Sequence, residues 1–391
     1  MTPDTVVRRS LAAGGADDFM TAHHLVLRGS QRAIGQALAA EAQAEFPPVP
    51  GPEDPALNRA RRRWIERNWP QHYERMSGIA DALGVDLLDD HTSVADLFAT
   101  PFRAGCSALW CPADAMIDGR TRIGRNFDFW TGSVLEVAGA SPDPTQPPMM
   151  ARPYVIETYP DGGLASVVVA ACDLAGCFEG INETGLTVAL FADDESTNLR
   201  PTNKLQAGLH ELQVPRFLLD TCSTVVEAVD ALYSAKQYDN MVVCHYLIAD
   251  AHGDAFVWER DTHNAEHVVW AGGAPMCVTN HLLHRHDGAD ALPEHDRSSA
   301  AGEIPFRHNT YERARTLDRR AAGPPLSRDD LREAMNAVRV DGGAPVARTL
   351  WCTLYDLEER SLTVEFYLGD EADGSPRRSS PATYAVERRR Q

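Results

Sequence analysis

Two apolar stretches of strand length follow the first quarter of the chain, at positions 107–117 and 121–130. Asp118-Gly119 lies between them, and Asp-Gly is a preferred pair for a tight turn that joins two strands. The pattern therefore predicts a β-hairpin. Because a hairpin brings the end of its second strand back to the start of its first, residues near position 126 should lie close to those near 106.

The remaining pattern alternates between strand-like and helix-like stretches. Predicted strands lie at 154–159, 164–171, 186–191, 242–249, 255–259, 267–271, 276–279, 349–357 and 362–368. Predicted helices lie at 209–221, at 225–236 after a Thr224/Glu227 capping box, at 310–317, and in a stretch opened by Ser327. This order of elements predicts an α+β fold, an αββα sandwich in which two packed sheets are covered by helices.

The segment before the hairpin has a different pattern. Positions 1–24 have little periodicity and are predicted to fray, and a short strand is predicted at 25–29. Helix-like stretches follow, including an amphipathic one at 56–83 that Pro70 should break or kink. The N-terminal segment is therefore predicted to be mainly helical.

Composition narrows the class of protein. The 391 residues are 43% hydrophobic and 24% charged, as in an ordinary globular protein. The net charge of −19 disfavours nucleic acid and anionic membrane surfaces as partners. Because the sequence contains no apolar run of membrane-spanning length and its first residues lack the apolar core of a signal peptide, we expect a cytoplasmic protein without a membrane partner.

Cysteine and histidine spacing gives no metal motif. The eight cysteines are Cys106, Cys111, Cys172, Cys177, Cys222, Cys244, Cys277 and Cys352. Their apolar flanks predict reduced core residues, and their spacing lacks the tight CxxC pattern of zinc sites. The three histidines of the stretch 281–286 also lack the spacing of a metalloprotease. We therefore expect no metal and no other cofactor.

The predicted hairpin brings candidate chemistry together. The thiol of Cys106, directly after Gly105, would lie near the guanidinium of Arg125 and the carboxylate of Asp128. These groups at one strand end are the parts of a nucleophile site. A free thiol has a pKa of about 8.5 and is mostly protonated at neutral pH, so it needs a base. The hairpin contains no histidine that could serve as one.

These residues carry a resemblance to a known family. Gly105-Cys106, followed about twenty residues later by Gly-Arg-Asn-Phe-Asp-Phe, resembles the N-terminal-nucleophile (Ntn) hydrolases of the choloylglycine hydrolase and acyl-coenzyme A:6-aminopenicillanate acyltransferase type. The resemblance implies an Ntn-hydrolase fold and a precursor that cuts itself between Gly105 and Cys106. The cut would give Cys106 a free α-amino group, with a pKa of roughly 7.7–8.0, that can accept the thiol proton.

The resemblance also implies a division of the chain. Residues 1–105 resemble the prosegment of the acyltransferase branch, which would be released or would stay as a small subunit after the cut. Residues 106–370 would form the catalytic domain. The polar stretch 371–391, which contains arginines and prolines, is predicted to be a disordered tail.

Four further roles follow from the resemblance. Asp128 would orient the α-amino group of Cys106, and Arg125 would hold the thiolate. Asn280, in Val-Thr-Asn-His, resembles the family asparagine whose amide donates to the tetrahedral oxyanion. Arg313, in a helix of the Ser-x-x-Arg-x-x-x-Leu type in which Thr310 takes the serine position, would brace the aspartate and the nucleophile; its helix neighbour Arg315 is the alternative.

Three residues are predicted to border the substrate. Asn182, in the turn Gly-Ile-Asn-Glu-Thr-Gly, resembles a turn beside the family's active site. Beyond the next strand Ala192 replaces the asparagine of bile-salt hydrolases, so any donation there would come from a backbone N–H. His281 directly follows Asn280 and is predicted to line the pocket.

The sequence thus predicts a self-processing amidohydrolase or acyltransferase that acts through a Cys106 acyl-enzyme. Its partners would be a small acyl amide, or an acyl thioester with an amine acceptor, and its own prosegment; a homo-oligomer is left open. A first alternative is an uncut Cys–His hydrolase or acyltransferase with His245 or His281 as base. A second is a catalytically silent member of the same fold that serves in binding.

Overall fold

The computed structural model describes residues 6–45, 54–95, 104–137, 141, 143, 145–193, 195, 207–239, 242–261, 263–294, 310–341 and 347–387. Within these ranges the chain forms two β-sheets that face one another, with helices on both outer faces. The predicted α+β class and αββα sandwich are confirmed.

The larger sheet contains nine strands of the described ranges. They are β1 Val6–Ala13, β2 Ala22–Gly29, β5 Tyr154–Pro160, β6 Ser166–Ala170, β7 Glu179–Asn182, β8 Thr187–Ala192, β9 Cys244–Ala249, β10 Ala255–Arg260 and β11 Glu266–Trp270. They lie side by side in that order. Neighbours are antiparallel except β2 and β5, which run parallel.

The smaller sheet contains seven strands, again counted over the described residues. They are β12 Met276–Val278, β3 Ala104–Cys111, β4 Arg122–Trp130, β13 Ala347–Asp356, β14 Ser361–Asp370, β15 Pro376–Arg378 and β16 Ala382–Ala385. The first six lie in that order, and β16 pairs with β14. Between the sheets the rings of Phe127 and Trp351 stack with centroids 3.9 Å apart, and Phe178 of the larger sheet packs 4.8 Å from Phe127.

Helices cover the outer faces of both sheets. Those described are α1 Gln31–Glu45, α2 Pro55–Asn68, α3 Pro70–Leu83, α4 Val134–Val137, α5 Gln213–Thr221, α6 Val225–Ser234, α7 Thr310–Ala321 and α8 Arg328–Asn336. Helices α1, α5 and α6 pack on the larger sheet, and α7 and α8 pack on the smaller one. None of these described helices is both long and apolar enough to cross a membrane.

The predicted hairpin is present as β3 and β4, but its loop is longer than a two-residue turn. Strand β3 ends at Cys111 because Pro112 has no N–H to donate, and a short 3-10 turn, Ala113–Ala115, follows. Asp118-Gly119 forms a turn inside this loop, with Gly119 at a φ of +66°. The register still pairs Gly105 with Asp128 and Cys106 with Phe127. The hairpin therefore brings its two ends together as predicted.

The expectation that residues 1–24 fray is wrong over the described part of that segment. Strand β1 pairs with β2, and seven residues of β2 pair with β5 from His23↔Tyr154 to Gly29↔Pro160. The N-terminal segment is thus helical and sheet-forming, since it supplies two strands to the larger sheet. Its helices α2 and α3 are separated at Pro70, as the sequence predicted.

The predicted disorder of the tail is also corrected. Two short strands, β15 and β16, pair with β14. Tail residues also reach the N-terminal segment, because Arg377 pairs with Asp18 at 2.6 Å and Glu387 with Arg28 at 2.8 Å. Polar side chains are compatible with this structure because an edge strand is held by backbone hydrogen bonds and leaves its side chains in solvent.

A buried ion pair joins the N-terminal helices to the rest of the molecule. Arg75 of α3 pairs with Asp220 of α5, and both side chains are at most 2% exposed. The indole N–H of Trp69 donates to the same carboxylate at 2.9 Å, and Arg216 lies 3.3 Å from its other oxygen. One carboxylate therefore balances two buried guanidinium groups.

We expect Asp220→Asn to destabilise the protein strongly, because it leaves two buried cations without a counter-charge. Losing one partner of a buried pair costs about 3–5 kcal/mol. The measurement is the midpoint of urea unfolding. Asp81→Asn is the control, because Asp81 pairs with Arg32 in the same helical layer but at the surface, with side chains 37% and 54% exposed. Equal effects of the two variants would contradict the prediction.

Candidate active site

Cys106 lies on β3, the second strand of the smaller sheet, where it pairs with Phe127 of β4. Its side chain belongs to the core between the two sheets and is 0% exposed. Burial raises the pKa of the Cys106 thiol to about 12, although Arg125 acts in the opposite direction. In this structure the sulfur is therefore a protonated thiol that is closed to solvent.

Arg125 reaches the sulfur from the neighbouring strand. It lies opposite Ala108 on β4, and its Nη2 donates to Cys106 Sγ at 3.3 Å and to the carbonyl oxygen of Leu190 at 2.7 Å. Its Nη1 donates to Glu179 Oε1 at 2.6 Å. Because Leu190 and Glu179 belong to the larger sheet, this guanidinium spans the space between the sheets.

Glu179 is the buried counter-ion of Arg125. Besides Arg125 it accepts hydrogen bonds from the Trp351 indole at 2.6 Å, the Thr353 hydroxyl at 2.8 Å and the Tyr355 hydroxyl at 2.8 Å. No sequence motif singled out Glu179. The available signal was an acidic residue in a buried strand, directly before the turn that contains Asn182.

Asp128 lies on the other face of β4, as expected for residues three apart on a strand. Its Oδ2 accepts from Arg313 Nη1 at 2.9 Å, and its Oδ1 accepts from the Thr349 hydroxyl at 2.6 Å. Burial raises the pKa of Asp128 above its ordinary value, although Arg313 and Thr349 act in the opposite direction. Arg125 and Asp128 therefore have different hydrogen-bond partners and do not form an ion pair with each other.

Arg313 and Asn280 hold the backbone of Cys106. Arg313 Nη1 donates to the carbonyl oxygen of Cys106 at 2.9 Å, and its Nη2 donates to Asn280 Oδ1 at 2.8 Å. The same Oδ1 accepts the backbone N–H of Cys106 at 2.9 Å. Asn280 Nδ2 donates to the carbonyl oxygen of Ala192 at 2.8 Å. Arg125, Asn280 and Arg313 therefore contact Cys106 directly, and Asp128 is linked to it through Arg313.

The other predicted residues have different positions. Arg315 donates to the carbonyl groups of Leu292 and Pro293, so Arg313 and not Arg315 is the helix residue that contacts Cys106. Asn182 fixes its turn, with Nδ2 donating to the carbonyls of Leu219 and Cys222. A role for Asn182 at the substrate stays a prediction.

Neither histidine of the Cys–His alternative pairs with the thiol in the described residues. His245 Nε2 bonds to the Thr279 carbonyl at 2.8 Å, and His281 Nδ1 lies 3.0 Å from the Thr279 hydroxyl. Burial lowers the pKa of His281 to about 4. The described part of the chain also contains no group of three His, Cys, Asp or Glu residues arranged to hold a metal ion.

Comparison with protein families identifies the class. The two-sheet sandwich and the cysteine site agree with the Ntn-hydrolase resemblance of the sequence. Residues 117–373 match the family "Acyl-coenzyme A:6-aminopenicillanic acid acyl-transferase", and the chain belongs to this family. The match includes Arg125, Asp128, Asn280 and Arg313 and begins after Cys106. The chain is accordingly an enzyme of the amide-hydrolase and acyl-transfer type.

The chain is similar to several solved structures, each with a TM-score below 0.5. A mutant of conjugated bile acid hydrolase from Clostridium perfringens is 14% identical, covers 72% of this chain and 97% of its own, and has a TM-score of 0.45. Penicillin V acylase from Agrobacterium tumefaciens is 15% identical, with 68% and 77% covered and a TM-score of 0.41. The Caenorhabditis elegans ortholog of N-acylethanolamine-hydrolyzing acid amidase is 15% identical, with 72% and 100% covered and a TM-score of 0.42. A comparison with curated protein sequences finds no match.

We expect Glu179→Gln to destabilise the protein by about 3 kcal/mol or more, because it leaves the Arg125 guanidinium buried without its counter-charge. Urea unfolding measures the effect. Glu312→Gln, on the exposed face of α7, is the matched control and should leave the midpoint unchanged. A Glu179 variant as stable as this control would mean that the buried pair does not hold the site together.

Proposed function

We propose that this chain is a precursor that cuts itself between Gly105 and Cys106, and that Cys106 then serves as the nucleophile of an amidohydrolase or acyltransferase. One observation carries the proposal. The three functional atoms of Cys106 each have a separate partner: Asn280 holds its N–H, Arg313 its carbonyl and Arg125 its sulfur. Any buried residue needs partners for its backbone N–H and carbonyl, but a cysteine that served only in core packing would not need a guanidinium on its sulfur.

The cut is an intramolecular acyl shift. The Cys106 sulfur attacks the carbonyl carbon of Gly105, the bond from that carbon to the Cys106 nitrogen breaks, and the nitrogen takes up the proton that the thiol loses. Water then hydrolyses the resulting thioester, which frees the Gly105 carboxyl group and restores the thiol. Gly105 suits this step because it has no side chain to obstruct the approach of the sulfur. Asn280 Oδ1 already accepts the N–H that becomes the new amine.

Turnover uses the same groups in a second role. The free α-amino group of Cys106 accepts the thiol proton, and the sulfur attacks the carbonyl carbon of an acyl amide or acyl thioester. Asn280 Nδ2 has a second proton, besides the one given to Ala192, that can donate to the tetrahedral oxyanion. The leaving amine or thiol takes up a proton from the α-amino group. Water or an amine then removes the acyl group from the sulfur.

Burial explains how the precursor stays inactive. Because the side chain is fully buried, an external substrate cannot reach the sulfur of the uncut chain, whereas the carbonyl of Gly105 belongs to the adjacent peptide group. The cut creates a base next to the sulfur and two free chain ends beside it. Cleavage therefore opens the site and supplies the missing base in one step.

The N-terminal fragment would stay bound as a small subunit. Its strand β2 pairs with β5 over seven residues, and Arg75 forms the buried pair with Asp220. Releasing the fragment would expose the edge of β5 and leave Asp220 unpaired with Arg75. Both costs favour retention.

We expect the purified wild-type chain to give two fragments on denaturing mass spectrometry, one of 105 residues and one of the remaining 286. Cys106→Ala should stay intact, because it lacks the attacking sulfur. Cys111→Ala, a buried cysteine on the same strand, is the matched control and should still be cut.

Substrates would be found by a hydrolysis screen over N-acyl amino acids, penicillins and fatty amides, repeated with an added amine to detect acyl transfer. A wild-type chain that stays intact yet hydrolyses an amide through Cys106 would refute the α-amino base. The Cys–His alternative would then replace it. A chain that is neither cut nor active on any amide would favour the silent binding protein.

We expect Asn280→Ala to fold normally but to lose turnover by about 100- to 1000-fold, the usual effect of removing one oxyanion donor. The measurement is kcat with the best substrate of the screen, beside the midpoint of thermal unfolding. Asn336→Ala, at the exposed end of α8, is the control. Wild-type turnover in Asn280→Ala would remove this residue from the oxyanion role.

A further inference from the structure

The peptide group between Thr279 and Asn280 is held from both sides. Its carbonyl oxygen accepts a hydrogen bond from His245 Nε2 at 2.8 Å, and its N–H donates to the Thr310 hydroxyl at 2.8 Å. We propose that His245 is a positioning residue that orients Asn280 for the oxyanion. This inference rests on the proposed function, because it assumes that Asn280 donates to the reacting carbonyl.

His245 is itself rigidly placed. It lies on β9, opposite Phe191 of β8, and its ring stacks on Phe191 with centroids 5.6 Å apart and planes 13° from parallel. The side chain is 0% exposed. Because Arg125 also packs over Phe191, at 5.5 Å, this histidine lies between the sheets and on the same side as the nucleophile.

The hydrogen bonds of His245 point to a role beyond packing. A carbonyl oxygen can only accept, so Nε2 must be the donor. The other ring nitrogen, Nδ1, is buried without a hydrogen-bond partner among the described residues. An unpaired buried polar atom costs stability, so an apolar side chain would serve the core better. What the histidine provides is a stiff donor that reaches the Thr279 carbonyl.

The next turn is fixed to the same sheet. Glu259 of β10 accepts the N–H groups of Leu283 at 2.6 Å and His284 at 3.0 Å. The chain on both sides of Asn280 is thus anchored to the larger sheet through backbone groups. The side chain of Asn280 reaches Cys106 on the smaller sheet. Through its hydrogen bond to the Thr279 carbonyl, His245 fixes the position of the Asn280 amide relative to β9. This amide would face the oxyanion.

The test compares His245→Leu, His245→Gln and His245→Asn in wild-type and Asn280→Ala backgrounds, using the best substrate of the screen. Gln can place its amide N–H near the position of Nε2, whereas the shorter Asn cannot reach the Thr279 carbonyl. Because all three variants are compared for thermal unfolding as well, a loss of fold is separated from a loss of turnover. His263→Leu, in an exposed turn, is the control.

In the wild-type background we expect His245→Leu and His245→Asn to lower kcat by about 10- to 100-fold, the effect known for residues that orient metal ligands, with KM little changed. His245→Gln should restore most of the loss. In the Asn280→Ala background the His245 substitutions should cause no further loss, because the group they orient is absent.

Two results would overturn the positioning role alone. One is a wild-type kcat in His245→Asn. The other is that the His245 substitutions lower kcat by the same factor with and without Asn280. The second result would mean that His245 acts independently of Asn280. If His245→Leu does not fold, the Gln and Asn pair decides, since both are polar and differ in reach. Turnover that survives Cys106→Ala would instead refute the proposed nucleophile and this inference with it.

Discussion

The charge of Arg125, buried between two β-sheets, is the constraint on which the site depends. A guanidinium with no exposed surface needs an anion and acceptors for its N–H groups, and Glu179, Leu190 and Cys106 supply them. Glu179 in turn requires donors from Trp351, Thr353 and Tyr355 on the smaller sheet. The sheets are therefore held in one relative position by polar contacts as well as by apolar packing, and the sulfur of Cys106 lies at the end of this network.

A second network approaches the same cysteine from its backbone. Asp128 and Thr349 orient Arg313, which holds the carbonyl of Cys106 and the side chain of Asn280. Alternation along β4 sends Arg125 to one face of the strand and Asp128 to the other, so the two networks do not share a side chain. Under the proposed function, the thiol is positioned in this way before any substrate arrives, as efficient nucleophilic catalysis requires.

The N-terminal segment is part of this arrangement and not an appendage. Strand β2 continues the larger sheet next to β5, and the tail after β14 contacts the same segment through Arg377 and Glu387. A cut before Cys106 would therefore separate the chain without separating the fold. The new chain ends would lie inside β3, at the point where the nucleophile needs both a base and access.

The sequence by itself determined the local features. Two apolar runs and the Asp-Gly pair predicted the hairpin. The hairpin and the family resemblance together predicted Cys106, Arg125 and Asp128 as site residues, with Asn280 and Arg313 further along the chain. Only the tertiary structure decided which distant strands pair, and so placed β1, β2 and the tail strands in the sheets. It also revealed the contacts of Glu179, Thr349 and His245, which join residues more than 30 positions apart. Such partners leave no local pattern, because a buried acid, hydroxyl or imidazole is recognised only by the groups that surround it.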